Sequence, residues 1–181
     1  MSAGRFIAVV GPSGVGKDSV MAGMVARARD LVAVRRVITR PVAAGGEDYE
    51  AVSAAEFARR VAEGAFVLHW QAHGLCYGIP AGVVDVMARG QDVLANLSRS
   101  VLPLAQARFD RFEVLSLTAT PEVLEARLRA RRRESAAEIE TRLARADFAL
   151  PEGISATRID NSGALRDTVT RALAALYPAR A

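Results

Sequence analysis

VVGPSGVGKDSV, Val9–Val20, decides how this chain is read. An apolar strand, RFIAVV (Arg5–Val10), runs into a glycine-rich turn, and a segment of helical pattern follows from Asp18 to about Arg29. Strand, glycine-rich turn and helix form the setting in which G-x-x-x-x-G-K acts as a phosphate-binding loop. Backbone N–H groups of such a loop, with the start of its helix, make a cradle for anions. Gly11, Pro12, Ser13, Gly14, Val15, Gly16, Lys17, Asp18 and Ser19 are therefore expected to hold the phosphates of a nucleotide.

One position departs from the motif. Asp18 stands where a serine or threonine hydroxyl ordinarily meets Mg2+. Three roles are open to it. It is an acid in the first turn, favoured by the helix dipole by about 0.3–1 kcal/mol. Or it repels phosphate and leaves a module that only binds partners. Or it is itself an oxygen ligand to Mg2+, directly or through water, as suits a hard cation. The strand DVLANLS (Asp92–Ser98) favours the third role, because its end lacks the acid that often supports the metal. An acid gained in the loop offsets one lost on the strand. Ser19 is a poor substitute, since one step along a helix turns a side chain by about 100°.

Of the 24 basic residues, 23 are arginine, and the sole lysine is Lys17. A compact ammonium and a planar guanidinium are not equivalent on the β- and γ-phosphates, so the single lysine marks the loop as functional. It also excludes the N-K-x-D guanine reader of a GTPase.

The chain has 181 residues, 51% of them hydrophobic and 24% charged, which predicts one domain with a sizeable core. Its net charge of +4 raises a nucleic-acid partner. The basic residues are spread out, however, with one dense run at Arg127–Arg133, and the aromatics do not interleave with it as stacking platforms. No nucleic-acid partner is expected. The longest apolar runs fall far short of the roughly 18 residues of a membrane span. No membrane partner is expected, and the opening residues leave no room for a signal peptide before the first strand; a cytoplasmic location fits. Cys76 is the lone cysteine, which excludes an intrachain disulfide and suits a packed thiol. His69 and His73 lie about 13 Å apart if the segment is a strand, too far to share a metal.

Further strands are expected at Val34–Arg40, twice within Phe66–Ile79 with a turn at Gly74, at Asp92–Leu97, at Phe112–Ala119 and in ATRID. The stretch VAAGGEDYE between Pro41 and Ala51 reads as a loop. Helices follow Ser53 with Glu56, Pro80, Thr120 with Pro121 and Ser135 with Glu138, the last running to about Leu150, and SGALRDTVTRALAAL is the final one. Alternating strands and helices predict an α/β fold of the P-loop NTPase class, a parallel sheet with helices on both faces. The segment from about 34 to 79, rich in short strands, reads as an acceptor-binding insertion, and about 127 to 147 as a helical lid. Phosphoryl transfer needs positive charge over the moving group, and RLRARRRESAAEIETRLARA offers Arg127, Arg131, Arg132, Arg133, Arg142 and Arg145.

With GPSGVGK, ITRP followed by GGEDY, CYGI and RLRARRRE…IETRL in that order, the chain resembles the guanylate kinases over nearly its whole length. The resemblance implies that Lys17 and the loop hold ATP phosphates, with Asn161 near the adenine. It implies Arg40 and Tyr49 on the acceptor's phosphate with Tyr77 nearby, and Arg131 and Arg142 as lid arginines. The departures concern guanine. The second arginine after the ITR arginine is missing, Leu68 stands for a guanine-pairing glutamate, Ile79 for a serine or threonine, and LANLS for a strand ending in D-x-D.

GKDS, CYGI, NLSRSVLP and RESAAEI are similar to the ribose 1,5-bisphosphate phosphokinases of bacterial phosphonate degradation. This implies transfer of the γ-phosphate of ATP, with Mg2+, to the 1-phosphate of ribose 1,5-bisphosphate, forming 5-phosphoribosyl 1-diphosphate. Ser98, Arg99 and Arg133 are then acceptor-site candidates, and Lys17, Asp18, Arg131 and Arg142 carry the transfer. A guanylate kinase with altered contacts and a catalytically silent binding module are the competing functions.

Overall fold

Phe6–Val10 forms the central strand β1, with all five residues buried. Successive side chains point to opposite sides, so Ile7 and Val9 enter one core cluster while Phe6, Ala8 and Val10 enter another. A strand apolar on both faces needs cover on both, and a parallel sheet between helices supplies it. The computed structural model describes residues 3–41, 47–131, 135–145 and 149–178.

The elements follow in order as α1 (Lys17–Arg27), β2 (Leu31–Ala33), β3 (Arg36–Ile38), β4 (Tyr49–Ala51), α2 (Ala54–Ala62), β5 (Phe66–Ala72), β6 (Leu75–Pro80) and α3 (Val83–Ala88). Then come β7 (Asp92–Asn96), a 3-10 turn (Arg99–Val101), α4 (Leu102–Arg108), β8 (Phe112–Thr118), α5 (Pro121–Arg131), α6 (Ala136–Ala144), β9 (Thr157–Asp160) and α7 (Leu165–Leu176). Five strands form a parallel sheet in the order β2-β7-β1-β8-β9. Helices α1 and α7 cover one face through Val20, Met24, Val169 and Leu176. Helices α3 and α4 cover the other through Val83, Leu102 and Ala105, with Phe109 stacked on Phe6 at 4.1 Å.

A second sheet has the order β4-β3-β6-β5, with β3–β4 parallel and the other pairs antiparallel. It hangs from the main sheet through the short passage between β2 and β3. Here the expectation of one strand over Val34–Arg40 is corrected: the Val34 N–H donates to the Leu94 carbonyl at 2.7 Å, still in the main sheet, and only Arg36–Ile38 belongs to the second. The expected strand thus left out β2, which ends at Ala33, and ran past both ends of β3.

Other boundaries also differ. Tyr49–Ala51, read as loop, is β4, paired with β3 despite the weak strand propensity of its glutamate. Pro80 closes β6 rather than opening a helix, and α3 starts at Val83. Helix α4 had no expectation at all. Helix α6 ends at Ala144, short of Leu150. Its capping box is complete, with Ser135 and Glu138 each bonded to the other's backbone. That of α2 is half made: Ser53 caps Glu56, whose carboxylate turns to Arg59 and Arg60.

Candidate active site

The loop between β1 and α1 is held from beneath. Gly16, at φ +94°, caps α1, and a Cβ there would sit 2.8 Å from Asn161 Nδ2. Asn161 follows β9 and is 3% exposed. Its N–H donates to the Thr118 carbonyl and its Nδ2 to the Val15 carbonyl, both at 2.7 Å. Arg127 on α5 donates to the same Val15 carbonyl at 3.2 Å and to the Asn161 carbonyl at 2.7 Å. Asn161, expected near the adenine, is thus seen as a support of the loop, its buried Oδ1 without a partner among the described residues. Arg127, grouped in sequence with the lid arginines, has its guanidinium on these two carbonyls.

Above these supports, the N–H groups of Gly14, Gly16, Lys17 and Asp18 have no backbone acceptor among the described residues. Four orphan donors converging at a helix N-terminus are the cradle that the motif predicts. Lys17 Nζ donates to the carbonyls of Gly11, at 2.9 Å, and Pro12, at 3.4 Å. Burial above all pulls its pKa down to about 8; Asp18 and Glu47 oppose this, and the positive charges of Arg36 and Arg131 add to it. An ammonium held among cations without its anion is prepared for phosphate.

Asp18 and Ser19 are exposed in the first turn of α1. Asp18 Oδ1 accepts a hydrogen bond from Asn96 Nδ2, at 3.3 Å, at the end of β7. Loop acid and strand end therefore meet, as the compensation between Asp18 and the missing strand acid requires. A Mg2+ ion fits this donor set: among the described residues Asp18 Oδ2 has no hydrogen-bond partner, and a carboxylate oxygen suits a hard cation. Among the described residues no group of three His, Cys, Asp or Glu could hold a metal. His69 is exposed on β5, and His73, at φ +53°, turns the β5–β6 hairpin beside Gly74.

Of the two expected lid arginines, Arg142 contacts the loop. Arg142 Nη1 donates to Ser13 Oγ at 3.1 Å, and Arg131, at the exposed end of α5, acts electrostatically on Lys17. Arg99 donates to the Arg145 carbonyl at the end of α6, at 2.9 Å, which ties the end of β7 to the lid; burial lowers its pKa. Ser98 accepts from Trp70 Nε1 at 3.2 Å. Arg133 lies outside the described residues.

The second sheet turns one face to this cleft. Strand register puts Arg36 beside Tyr49, Ile38 beside Tyr77, and Tyr77 beside Trp70, all on one side. Tyr77 stacks on Trp70 with ring centroids 5.3 Å apart. The Arg40 guanidinium lies over Tyr49, 5.1 Å from its centroid, and the Tyr49 hydroxyl donates to the Pro41 carbonyl at 2.6 Å. The sequence reading missed Arg36 and Glu47, a buried ion pair on this face, and Asn96. Asn96 was visible as the polar end of an apolar strand; Arg36, in a run of two arginines, carried no such mark.

The sequence profile of the guanylate kinase family matches residues 3–157. A protein from a Ruegeria species named ribose 1,5-bisphosphate phosphokinase PhnN is 55% identical, over 98% of this chain and 94% of that protein. One of the same name from Pseudomonas fluorescens is 48% identical, over 96% and 95%. Among solved structures, a guanylate kinase from Anaplasma phagocytophilum has the same fold, with a TM-score of 0.66 at 20% identity over 97% of this chain and 85% of its own. The chain belongs to the guanylate kinase family and, within it, to the ribose 1,5-bisphosphate phosphokinases.

Proposed function

We propose that the protein transfers the γ-phosphate of ATP to the 1-phosphate of ribose 1,5-bisphosphate, forming 5-phosphoribosyl 1-diphosphate and ADP in phosphonate breakdown. One observation carries the choice of a sugar over a nucleotide. Leu68 and Ile79, which face each other across β5 and β6, are 3% and 0% exposed and packed into the core. They stand where guanylate kinases carry the polar groups that read guanine. A pocket lacking those partners loses the discrimination they provide. The names of the close relatives support the same substrate.

In this mechanism the free N–H groups of the loop and Lys17 bind the β- and γ-phosphates. Asn161 and Arg127 hold the loop carbonyls away from those oxygens. Arg40, Tyr49 and Tyr77 on the second sheet, which serves as the acceptor-binding insertion, place the acceptor's 1-phosphate in line with the γ-phosphorus. An oxygen of that phosphate attacks, the bond from the γ-phosphorus to the bridging oxygen breaks, and ADP leaves. The acceptor is already ionised at neutral pH, so positioning and charge suffice and no strong base is needed. Arg131 and Arg142 of the lid balance charge on the moving group and exclude water. Asp18, oriented by Asn96, would hold a Mg2+ ion, which would supply positive charge against the phosphates.

Incubation with ATP, Mg2+ and either ribose 1,5-bisphosphate or GMP tests this, with ADP and product followed together. Turnover of the sugar is expected. Turnover of GMP alone would overturn the choice of acceptor, and turnover of neither would favour a binding module.

A further inference from the structure

Arg36 is the most deeply buried arginine among the described residues, at 5% exposure. It opens β3 and shares a face with Ile38, Tyr49, Tyr77 and Trp70. Its Nε donates to Glu47 Oε1 at 2.8 Å, and its Nη2 pairs with Glu47 Oε2. The guanidinium lies over the Tyr77 ring, 5.1 Å from its centroid, and Tyr77 is itself backed by Trp70.

So much fixation has a purpose beyond stability. A buried ion pair is seldom better for folding than apolar side chains of the same volume. What it does supply is a planar donor that cannot wander. Nη1 has no partner among the described residues, and it is not among the side-chain atoms sealed from solvent without one. One edge of a rigid guanidinium is therefore on offer, on the face that holds Arg40 and Tyr49. An arginine fork is suited to phosphate.

We propose that Arg36, held by Glu47, binds the acceptor's second phosphate, the one that does not react, and so selects a bisphosphorylated sugar. This rests on the sugar-kinase function proposed above. The reacting 1-phosphate lies with Arg40, Tyr49 and Tyr77, and the 5-phosphate projects from the far side of the ribose toward Arg36. Glu47 is a positioning residue: it takes two of the five donors and aims the rest.

A contact to a non-reacting group is made equally in the ground and transition states, so its loss raises KM and spares kcat. Arg36→Met should raise the KM for ribose 1,5-bisphosphate about tenfold to a hundredfold, as for a lost charge-assisted hydrogen bond, with kcat held within about threefold. The kcat/KM preference for ribose 1,5-bisphosphate over ribose 1-phosphate should fall by the same factor. Glu47→Gln should shift KM in the same direction by less. Arg36→Lys, which keeps the charge and leaves the fold least disturbed, should fall between the wild type and Arg36→Met, and it serves alone if the methionine variant does not fold.

Loss of kcat in step with KM, or an equal loss for both acceptors together with weaker ATP binding, would show a structural role and overturn the proposal. An unaltered KM would do the same. If the wild-type protein turned over neither sugar phosphate, the function proposed above would fall as well, which the variants alone cannot bring about.

Discussion

In the phosphate loop the groups offered to a ligand are backbone N–H groups, and the nearby side chains of Asn161 and Arg127 are spent on holding the loop's carbonyl side. On the second sheet the offered groups are side chains, Arg36, Arg40, Tyr49 and Tyr77, held by one another through stacking and ion pairing. The loop comes from one run of residues; the face of the second sheet is gathered from four strands between Arg36 and Pro80. A backbone cradle recognises phosphate whatever carries it. A face of side chains changes specificity one residue at a time while the cradle stays as it is. On the function proposed above, this difference would let one fold take different phosphorylated acceptors.

The sharpest way to break the comparison is at Lys17, the side chain the loop offers to phosphate. Lys17→Met should lower kcat by about 10²–10³-fold, as for removal of one preorganised charge-stabilising donor, with the circular dichroism spectrum unchanged. A fall of less than tenfold would mean that the backbone cradle alone suffices.

Next is the junction of loop and strand. Asp18→Asn should lower the rate by about 10–100-fold at limiting Mg2+ and raise the Mg2+ concentration giving half-maximal rate. The double variant Asp18→Ser with Asn96→Asp, which moves the acid back to the strand, should recover part of the loss. Full activity of Asp18→Asn at every Mg2+ concentration would show that the acid serves only the helix dipole.

Asn161→Ala separates support from contact. It leaves the Val15 carbonyl with Arg127 alone and should cost about 1–3 kcal/mol of stability in thermal unfolding. The KM for ATP should rise and that for the sugar stay put, because the two regions have separate supports. Equal changes in both would mean that the cleft is one unit.

The smallest effect concerns pH. Lys17 in the free protein loses its proton near pH 8, and phosphate binds the ammonium form. Affinity for ATP, followed by titration calorimetry, should weaken about fivefold from pH 8 to pH 9, with proton uptake on binding. The sign for stability is opposite. The folded pKa of about 8 lies below lysine's ordinary value of 10.5, so the unfolded chain holds more protons in that window and the free protein gains stability as pH rises through it. Lys17→Met should remove this slope.

Much of the donor side was legible in the sequence. The loop, its lone lysine and the odd Asp18 are contiguous, and contiguous residues with fixed backbone geometry announce themselves. In the arginine-rich run the resemblance marked Arg131 and Arg142 for the lid; that Arg127 holds the loop's carbonyl side was not legible. Among the described residues no helix is long and apolar enough to cross a membrane.

By itself the sequence determined the alternation of strands and helices, the phosphate loop, the missing guanine readers and the family. Each is a pattern of spacing or residue type that survives without coordinates. Only the tertiary structure decided that Val34–Arg40 divides between two sheets, that Asp18 meets Asn96, that Asn161 supports the loop, and that Arg36 and Glu47 form a buried pair on the face of the second sheet. These depend on which strand lies beside which, and a contact between residues 78 or 146 positions apart is set by sheet order and register. Neither is encoded in any local stretch of chain.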